Sequence, residues 1–300
     1  MAKVVVTGGA GFIGSHLVDA LIEWGDEVHV FDNFAAGRRE DRLNAQAKYH
    51  EVDICDFHEV AKIIEGATYV FHMAAIPRVQ YSIEYPRETH DVNVNGTLVV
   101  LEAARAAGVK RVIYSASSSA YGMSEKFPSS EDDPTAPMSP YAMQKLASEL
   151  LCQTWYRTYG LETVCLRYFN AYGPKLDPDG AYALVIGVFL KQKRKGLPLT
   201  ITGDGTQSRD FTHVRDIVRA NLLAAASLDV GKGEVINIGA GRDVTINDLA
   251  KLFGGPTVYI APRLEPHTNR ADSNRAKKLL AWEPTIRLED GIEELKKLNS

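Results

Sequence analysis

Cysteine is scarce in this sequence, which has three in 300 residues. Cys55, Cys152 and Cys165 cannot all pair within the chain, and so few cysteines exclude a small disulfide-stabilised scaffold. Cys165 lies in the apolar run 163–166, where a buried free thiol is expected. The spacing of the cysteines and histidines does not resemble a zinc site. We therefore expect no bound metal.

An excess of charge of one sign is also missing. The 34 lysines and arginines against 38 aspartates and glutamates give a formal net charge of −4, which does not favour a nucleic-acid-binding surface. No stretch approaches the roughly 20 apolar residues that a membrane helix needs. The short apolar start is not followed by a signal-peptide cleavage pattern. We expect a cytoplasmic protein that binds neither nucleic acid nor a membrane.

Short β-branched runs alternate with helical patterns through the first half of the chain. The length suits one large domain or two coupled domains. Near-continuous apolar strands that alternate with helices are typical of a parallel sheet covered on both faces, and we expect such a sheet here. A loop-rich segment, 173–205, and a loop-like tail, 263–282, are predicted in the second half. The predicted strands are 3–6, 27–31, 49–52, 68–72, 111–114, 163–167 and 234–238, and the predicted helices are 11–24, 58–64, 93–107, 142–159 and 246–253.

A glycine-rich string joins the first predicted strand to the first predicted helix. Gly8, Gly11 and Gly14 are spaced three apart. Glycine there lets the backbone turn tightly and lets a pyrophosphate approach the helix N-terminus, whose free N–H groups favour anions. Asp32 ends the second strand, where an acid accepts hydrogen bonds from ribose hydroxyls and repels the extra phosphate of NADP. These features predict NAD binding.

Further cofactor contacts are expected where the next two strands end. Asp53 and Ile54 follow the third strand and are suitably placed for the adenine edge, although a turn role for Asp53 fits almost as well. Ala74 and Ala75 end the fourth strand, where small side chains let the backbone approach the cofactor.

Tyr141 and Lys145 are four positions apart in a helical pattern and so share one face. Lowering the pKa of a tyrosine from about 10 to about 7 needs roughly 4 kcal/mol of preference for the phenolate. One cation about 4 Å away supplies roughly that at an effective dielectric near 20. Lys145 and the positive nicotinamide ring are two candidate sources. Tyr141 would then take a proton from a substrate hydroxyl while a hydride leaves the same carbon.

Taken together, the motifs resemble those of extended short-chain dehydrogenase/reductases, specifically the UDP-sugar 4-epimerases. The resemblance covers most of the chain. The similar motifs are TGGAGFIGSHL (7–17), DN (32–33), FHMAA (71–75), NVNGT (93–97), YSASSSAYG (114–122), SPYAMQK (139–145), RYFNAYGP (167–174) and GDGTQSRDF (203–211).

This resemblance implies an α/β fold, a Rossmann-type doubly wound parallel sheet with a smaller mixed α/β substrate-binding domain. Residues 1–170 are then expected to form the NAD-binding domain. Residues 171–300 are expected to form mainly the substrate-binding domain, with segments around 205–240 returning to the sheet.

The resemblance also implies the roles of single residues. Ser117, Tyr141 and Lys145 are the implied catalytic residues, with Ser117 sharing the proton with Tyr141. For Ser118 and Ser119, and for the side chain of Ser115, ordinary strand-end packing is the preferred interpretation. The implied cofactor contacts are Gly8, Gly11, Phe12, Ile13, Gly14, Asp32, Asn33, Asp53, Ile54, Ala74, Ala75, Asn93, Ser115, Tyr141, Lys145 and Tyr168.

The residues after Ser117 bear on the reaction. Related dehydratases and nucleotide-sugar decarboxylases have acids directly after this position, whereas this chain has Ser118 and Ser119. Without a carboxylate there is no obvious base for the carbon 5 proton, so elimination of water is disfavoured. Oxidation at carbon 4 and return of the hydride to the opposite face needs only Ser117, Tyr141, Lys145 and NAD. The implied reaction is 4-epimerisation, without net redox change.

Contacts to the UDP-sugar are also implied by the resemblance. Arg209 resembles the family arginine at the nucleotide diphosphate, and Asn170 matches an asparagine that contacts sugar or phosphate. Arg263 is a second candidate for the pyrophosphate, with simple solvation equally plausible. The expected substrate contacts are Arg78, Ser117, Tyr141, Asn170, Leu184, Val185, Thr200, Arg209, Arg263 and Asn269.

The preferred sugar depends on a gatekeeper two residues before an Ala-Asp pair, which is Asn269 here. A bulky tyrosine at this position restricts the family pocket to glucose and galactose, so a smaller residue predicts that UDP-GlcNAc and UDP-GalNAc are accepted, beside UDP-Glc and UDP-Gal. Arg78 would also suit a UDP-glucuronate 4-epimerase, but that branch tends to have Phe-Thr where this chain has Phe169-Asn170. A 4-keto sugar reductase and a non-catalytic NAD sensor are further alternatives.

Two predicted helices, 93–107 and 142–159, have apolar residues around much of their circumference. The resemblance suggests that these helices pair with their copies in a homodimer. Burial within the monomer would explain the same pattern.

Overall fold

The computed structural model describes residues 1–124, 126–178, 184–262 and 266–299. The strands are β1 Lys3–Thr7, β2 Glu27–Asp32, β3 Lys48–Glu51, β4 Tyr69–His72, β5 Arg111–Ser117, β6 Glu162–Tyr168, β7 Ala171–Tyr172, β8 Leu199–Thr202, β9 Ser208–Asp210, β10 Thr212–His213, β11 Lys232–Ile238, β12 Asp243–Thr245 and β13 Thr257–Ile260. The α-helices are α1 Phe12–Glu23, α2 Phe57–Ile64, α3 Val79–Glu84, α4 Pro86–His90, α5 Gly96–Ala106, α6 Pro140–Tyr159, α7 Val185–Arg194, α8 Val214–Ala226, α9 Ile246–Phe253, α10 Asn274–Leu280 and α11 Leu288–Leu298.

A seven-stranded sheet dominates the fold, with the strand order β11-β6-β5-β4-β1-β2-β3. All of its strand pairs are parallel, which confirms the predicted Rossmann-type α/β fold. The strand order reverses between β1 and β4. In open parallel sheets ligands bind at the carboxyl ends of the strands at such a switch point. The glycine-rich string follows β1 at this place.

Hydrophobic cores lie on both faces of the sheet because successive side chains of a strand point to opposite sides. Val4 and Val6 belong to the core that also contains residues of α1, α8 and α10. Val5 belongs to the core that contains residues of α2, α5 and α6. Burial on both faces explains why the strands are apolar almost throughout.

The second half of the chain adds three two-stranded sheets, β7 with β10, β9 with β12 and β8 with β13. A separate hydrophobic cluster joins α7, α9 and α11 beside them. The loop-rich segment 173–205 also contains α7, and the basic run at 191–195 lies at its end, as expected for a solvated helix end. The tail 263–282 was expected to be loop-like but contains α10. Trp282 explains the order of the tail: its buried indole donates to the carbonyl of Asp216 at 2.8 Å and fixes the tail on α8.

The two helices predicted to pair in a homodimer, α5 and α6, begin in different ways. A π-helical segment, Asp91–Asn95, runs directly into α5. Ser139 caps α6 by accepting from the Ala142 N–H at 3.2 Å, and Pro140 occupies the first turn. This start fixes Tyr141 in the first turn of α6. In the described part of the chain no helix is both long and apolar enough to cross a membrane.

Candidate active site

The turn from β1 into α1 is packed so tightly that a side chain would not fit at Gly8 or Gly14. Gly8 has a φ of +68°, and a Cβ there would lie 2.7 Å from the Ala74 nitrogen. A Cβ on Gly14 would lie 2.2 Å from the Gly8 carbonyl oxygen. No side chain caps α1 at Gly11, so the N–H groups at its first turn, which includes Phe12 and Ile13, point into this cradle. The cradle fits a pyrophosphate bound through backbone groups.

Asp32 lies beside the cradle at the end of β2. Its carboxylate accepts the Ala10 N–H at 3.0 Å and the Phe34 N–H at 2.9 Å. Burial raises the pKa of Asp32, and these two hydrogen bonds act in the opposite direction. The next residue, Asn33, is exposed and accepts the Ala35 N–H at 3.1 Å. An acid fixed in this way next to the loop fits the ribose of NAD.

The residues that follow β3 and β4 make different contacts. Asp53 accepts the Cys55 N–H at 2.9 Å and thus closes a local turn. Ile54 is buried against Gly96, where an added Cβ would lie 2.6 Å from its Cδ1. Ala74 follows β4 and donates its N–H to Thr7 Oγ1 at 3.1 Å, and Ala75 comes next in the chain. These small residues line the switch point.

His72 is a residue that the motif analysis did not single out. Its ring is buried between Thr7 Oγ1 at 2.7 Å and Thr97 Oγ1 at 2.9 Å. Thr7 Oγ1 already accepts the N–H groups of Met73 and Ala74, so its own proton goes to His72 Nδ1 and His72 Nε2 carries the ring proton. Burial lowers the pKa of His72 to about 3. A neutral imidazole therefore holds the end of β1 to α5.

Asn93 is buried between α6 and the chain that follows β4. Its Oδ1 accepts the Ile76 N–H at 2.7 Å, and its Nδ2 donates to Gln144 Oε1 at 2.9 Å. Its backbone carbonyl accepts the hydroxyls of Thr97 and Ser148. These bonds join the π-helical segment to α6 and to the chain after β4, so the Asn93 side chain positions the cleft wall.

Ser117, Tyr141 and Lys145 lie together where β5 ends and α6 begins. Lys145 is 4% exposed and donates from Nζ to the Ser115 carbonyl at 2.8 Å. Burial lowers the pKa of Lys145 to about 8, with the nearby Glu149 carboxylate acting in the opposite direction. This arrangement joins the three residues for which the motifs predict catalysis.

The electrostatics of Tyr141 differ from the expectation of a lowered pKa. Burial raises the pKa of Tyr141, and its side-chain hydrogen bond with Ser117 acts against that rise. Lys145 is not among the groups that change the Tyr141 pKa, because its ammonium group is directed at the Ser115 carbonyl. The positive nicotinamide ring then remains as the other candidate source of a lower Tyr141 pKa.

A buried network lies behind Lys145. Ser115 Oγ and the Tyr168 hydroxyl are 3.1 Å apart, and the Tyr168 hydroxyl also forms hydrogen bonds with the side-chain amide of Asn221. Burial raises the pKa of Tyr168 to about 12. The Tyr168 hydroxyl therefore stays protonated. Its hydrogen bonds with Ser115 and Asn221 connect β5, β6 and α8.

Three predicted substrate contacts, Asn170, Arg209 and Asn269, lie around Asp210. Asn170 donates from Nδ2 to the Asp210 carbonyl at 2.8 Å and to Asn269 Oδ1 at 3.0 Å. Arg209 donates to the Ser208 carbonyl at 2.8 Å. The buried Asp210 carboxylate accepts the Ala271 N–H at 3.0 Å, two residues beyond Asn269. Asp210, which the motif analysis left without a role, thus ties Asn170, Arg209 and Asn269 together.

The remaining predicted contacts are more dispersed. Thr200 on β8 accepts Gln192 Nε2 at 2.6 Å through its hydroxyl, and the exposed Leu184 precedes Val185 at the start of α7. Arg78 is half-buried, with its guanidinium 5.5 Å from the centre of the Tyr81 ring. Arg263 lies outside the described residues. No group of three or more potential metal ligands occurs within the described ranges.

Comparison with known proteins identifies the family. Residues 4–239 match the NAD dependent epimerase/dehydratase family. The crystal structure of UDP-glucose 4-epimerase with UDP-glucose from Thermotoga maritima is 40% identical, has a TM-score of 0.94 and covers 99% of this chain and 100% of that chain.

Two further relatives carry other sugars in their names. The UDP-N-acetylglucosamine 4-epimerase of Methanobrevibacter ruminantium, in complex with UDP-N-acetylmuramic acid, is 35% identical with a TM-score of 0.93, covering 99% of this chain and 97% of that chain. The UDP-glucuronate 4-epimerase of Thermodesulfobacterium geofontis is 36% identical over 312 residues, which is 97% of this chain and 94% of that protein. The chain belongs to the NAD-dependent epimerase/dehydratase family.

Proposed function

We propose that this member of the NAD-dependent epimerase/dehydratase family interconverts UDP-GlcNAc and UDP-GalNAc, and that it also accepts UDP-Glc and UDP-Gal. It is an NAD-dependent UDP-sugar 4-epimerase. The observation that carries the proposal is the meeting of Ser117, Tyr141 and Lys145 at the end of β5, together with the pairing of Asn170 with Asn269. Residues 1–170 bind NAD, and residues 171–300 mainly bind the UDP-sugar.

Each group at the reactive centre has a distinct task in this mechanism. Bound NAD supplies the reversible two-electron oxidation at carbon 4 of the sugar. Tyr141 takes the proton of the carbon 4 hydroxyl, with Ser117 sharing it, and returns it once the opposite face has been presented. Lys145 is protonated at neutral pH, as its pKa of about 8 permits, and by donating to the Ser115 carbonyl it fixes the end of β5 beside Tyr141.

Binding of the cofactor uses groups that the fold has already oriented. The N–H groups at the start of α1 and the narrow loop at Gly8 receive the pyrophosphate. Asp32 accepts the ribose hydroxyls and disfavours NADP by repulsion between its carboxylate and the extra phosphate. Asp53, Ile54 and Ala74 border the rest of the cofactor cleft.

The acceptance of an N-acetyl group follows from the pairing of Asn170 with Asn269. Asn170 Nδ2 donates to the Asp210 carbonyl, which can only accept, so the orientation of the Asn170 amide is determined. Asn269 Oδ1 accepts from the same Nδ2, and its own Nδ2 then remains as a donor. A short side chain with a free N–H group suits the carbonyl of an N-acetyl substituent, whereas a tyrosine would fill that space.

The homodimer is a second part of this proposal. Met143 and Leu150 are exposed apolar side chains seven positions apart, so they lie on one face of α6. An exposed apolar pair on one face of a long helix suits burial against a second subunit. Sedimentation at several protein concentrations tests this, with a dimer that charged substitutions at Leu150 dissociate as the expected result.

Product analysis of the purified protein tests the sugar assignment. UDP-GlcNAc, UDP-Glc and UDP-GlcA are incubated separately, without added reductant. Formation of UDP-GalNAc is expected, with UDP-Gal from UDP-Glc. Conversion of UDP-Glc alone would remove the gatekeeper role from Asn269. Conversion of UDP-GlcA alone would favour the uronate alternative with Arg78, and reduction of a 4-keto sugar without epimerisation would favour a reductase.

A further inference from the structure

The backbone N–H and the hydroxyl of Ser119 both point back to the side chain of Ser117, the predicted catalytic serine. After β5 ends at Ser117, residues Ser118–Tyr121 form a single turn of 3-10 helix. In this turn the Ser119 N–H donates to Ser117 Oγ at 3.2 Å, and the Ser119 hydroxyl donates to the same oxygen at 2.9 Å. The preferred interpretation of Ser119 from its sequence position was ordinary strand-end packing, and this geometry is more specific.

The two bonds from Ser119 determine the direction of the Ser117 proton. A serine hydroxyl has one proton to donate and two lone pairs to accept with. Both acceptor sites of Ser117 Oγ are filled by Ser119, so the Ser117 proton is directed to another acceptor. The hydrogen bond between the side chains of Ser117 and Tyr141 supplies that acceptor in the Tyr141 oxygen.

We propose that Ser119 is a positioning residue for the proton transfer: by donating twice to Ser117 Oγ, it holds the Ser117 hydroxyl proton on the Tyr141 oxygen. The inference rests on the proposed epimerase function and adds a residue to its machinery. In the transfer the O–H bond of the sugar hydroxyl breaks and a new O–H bond forms on the Tyr141 phenolate oxygen. The Ser117 O–H bond stays intact and donates to that oxygen throughout.

Ser119 contributes to this transfer in two ways. It prevents Ser117 from donating elsewhere, so the Ser117 hydroxyl stays in line with the Tyr141 oxygen. Its two donors also polarise the Ser117 hydroxyl, which strengthens the hydrogen bond that Ser117 donates to the Tyr141 phenolate. A residue that only capped the turn would affect folding and leave the titration of Tyr141 unchanged.

The Ser119→Ala variant in the full-length protein with NAD measures the first consequence. The loss of one aligned hydrogen bond in the transition state predicts a fall in kcat of about tenfold with KM nearly unchanged. Because Ser117 then stabilises the phenolate less well, the acidic limb of the pH profile of kcat/KM is expected to move to higher pH. Ser119→Thr retains the hydroxyl and should restore both values, and Ser118→Ala, a change in the same turn, serves as the matched control with ordinary kinetics.

A double-mutant cycle with Ser117→Ala provides the decisive comparison. If Ser119 acts through Ser117, Ser119→Ala causes no further loss of kcat once Ser117 is alanine. An equal loss of kcat in both backgrounds, or an unmoved pH profile in Ser119→Ala, would overturn the proposal. If the wild-type protein epimerises no UDP-sugar, the proposed function itself has failed. If it does and Ser119→Ala matches it, only the role of Ser119 is wrong.

Discussion

Replacing Glu149 should destabilise the protein strongly, because this residue neutralises a guanidinium that is shut off from water. Glu149 Oε1 and Oε2 accept from Arg167 Nε at 2.9 Å and from its terminal nitrogen at 2.7 Å. The two residues are 1% and 3% exposed, and the Lys145 ammonium lies one helical turn before Glu149. Glu149→Gln would therefore leave two buried cations without a buried anion between them.

The expected magnitude follows from this burial. Removal of one partner from a buried ion pair costs about 3–5 kcal/mol, a large part of the roughly 5–15 kcal/mol that stabilises a folded protein. Glu149→Leu combined with Arg167→Met removes both charges and should lose much less, since a hydrophobic pair of similar volume is close to neutral. Arg167 also packs on the Tyr121 ring at 4.7 Å, a contact that methionine can partly replace.

Urea unfolding measures these free energies for the wild type, Glu149→Gln, the single variants Glu149→Leu and Arg167→Met, and the double variant that combines the last two changes. A lower midpoint at an unchanged slope is expected for Glu149→Gln, with recovery in the double variant. The reasoning is refuted if Glu149→Gln is as stable as the wild type. It is equally refuted if the double variant loses the sum of the two single losses, because the charges would then not be coupled.

Three further predictions concern the site and its support. Tyr141→Phe should lower kcat by roughly 10²–10⁴-fold, as expected for loss of a proton-transfer group, while calorimetry finds NAD binding intact. The pKa of His72 is about 3 when folded and 6.5 when free, so the unfolded chain binds the proton and stability falls below pH 6.5, by about 2 kcal/mol at pH 5. In urea unfolding at pH 5 and pH 7, His72→Gln should lose less unfolding free energy between the two pH values than the wild type does. Equal losses in the two proteins would contradict the lowered pKa of His72. Asn269→Tyr should abolish turnover of UDP-GlcNAc and spare that of UDP-Glc; equal losses for both sugars would count against the gatekeeper.

The parts of the site that were predictable from the sequence are those in which neighbouring residues act together. The glycine string, Asp32 and the Tyr141–Lys145 spacing each lie within a few residues or at a strand end, where the pattern itself determines the geometry. The parallel sheet was predictable for the same reason, since apolar strands buried on both faces have a recognisable composition.

The supporting contacts were not predictable because they join residues far apart in the chain. His72 bridges Thr7 and Thr97, and Asp210 holds the backbone at Ala271. A histidine in an apolar strand or an aspartate before a phenylalanine has no local pattern that identifies its partner. Ser119 is a different case, because its partner lies two residues away, but three adjacent serines do not reveal which one turns back.

Isotope retention tests the central claim, redox-neutral epimerisation at carbon 4, most directly. Purified protein is incubated with UDP-GlcNAc that carries deuterium at carbon 4, without added reductant, and the products are analysed by NMR and mass spectrometry. Redox-neutral epimerisation predicts a mixture of UDP-GlcNAc and UDP-GalNAc in which both epimers retain deuterium at carbon 4. Exchange of the label with water, or product that forms only when a reductant is supplied, would contradict it.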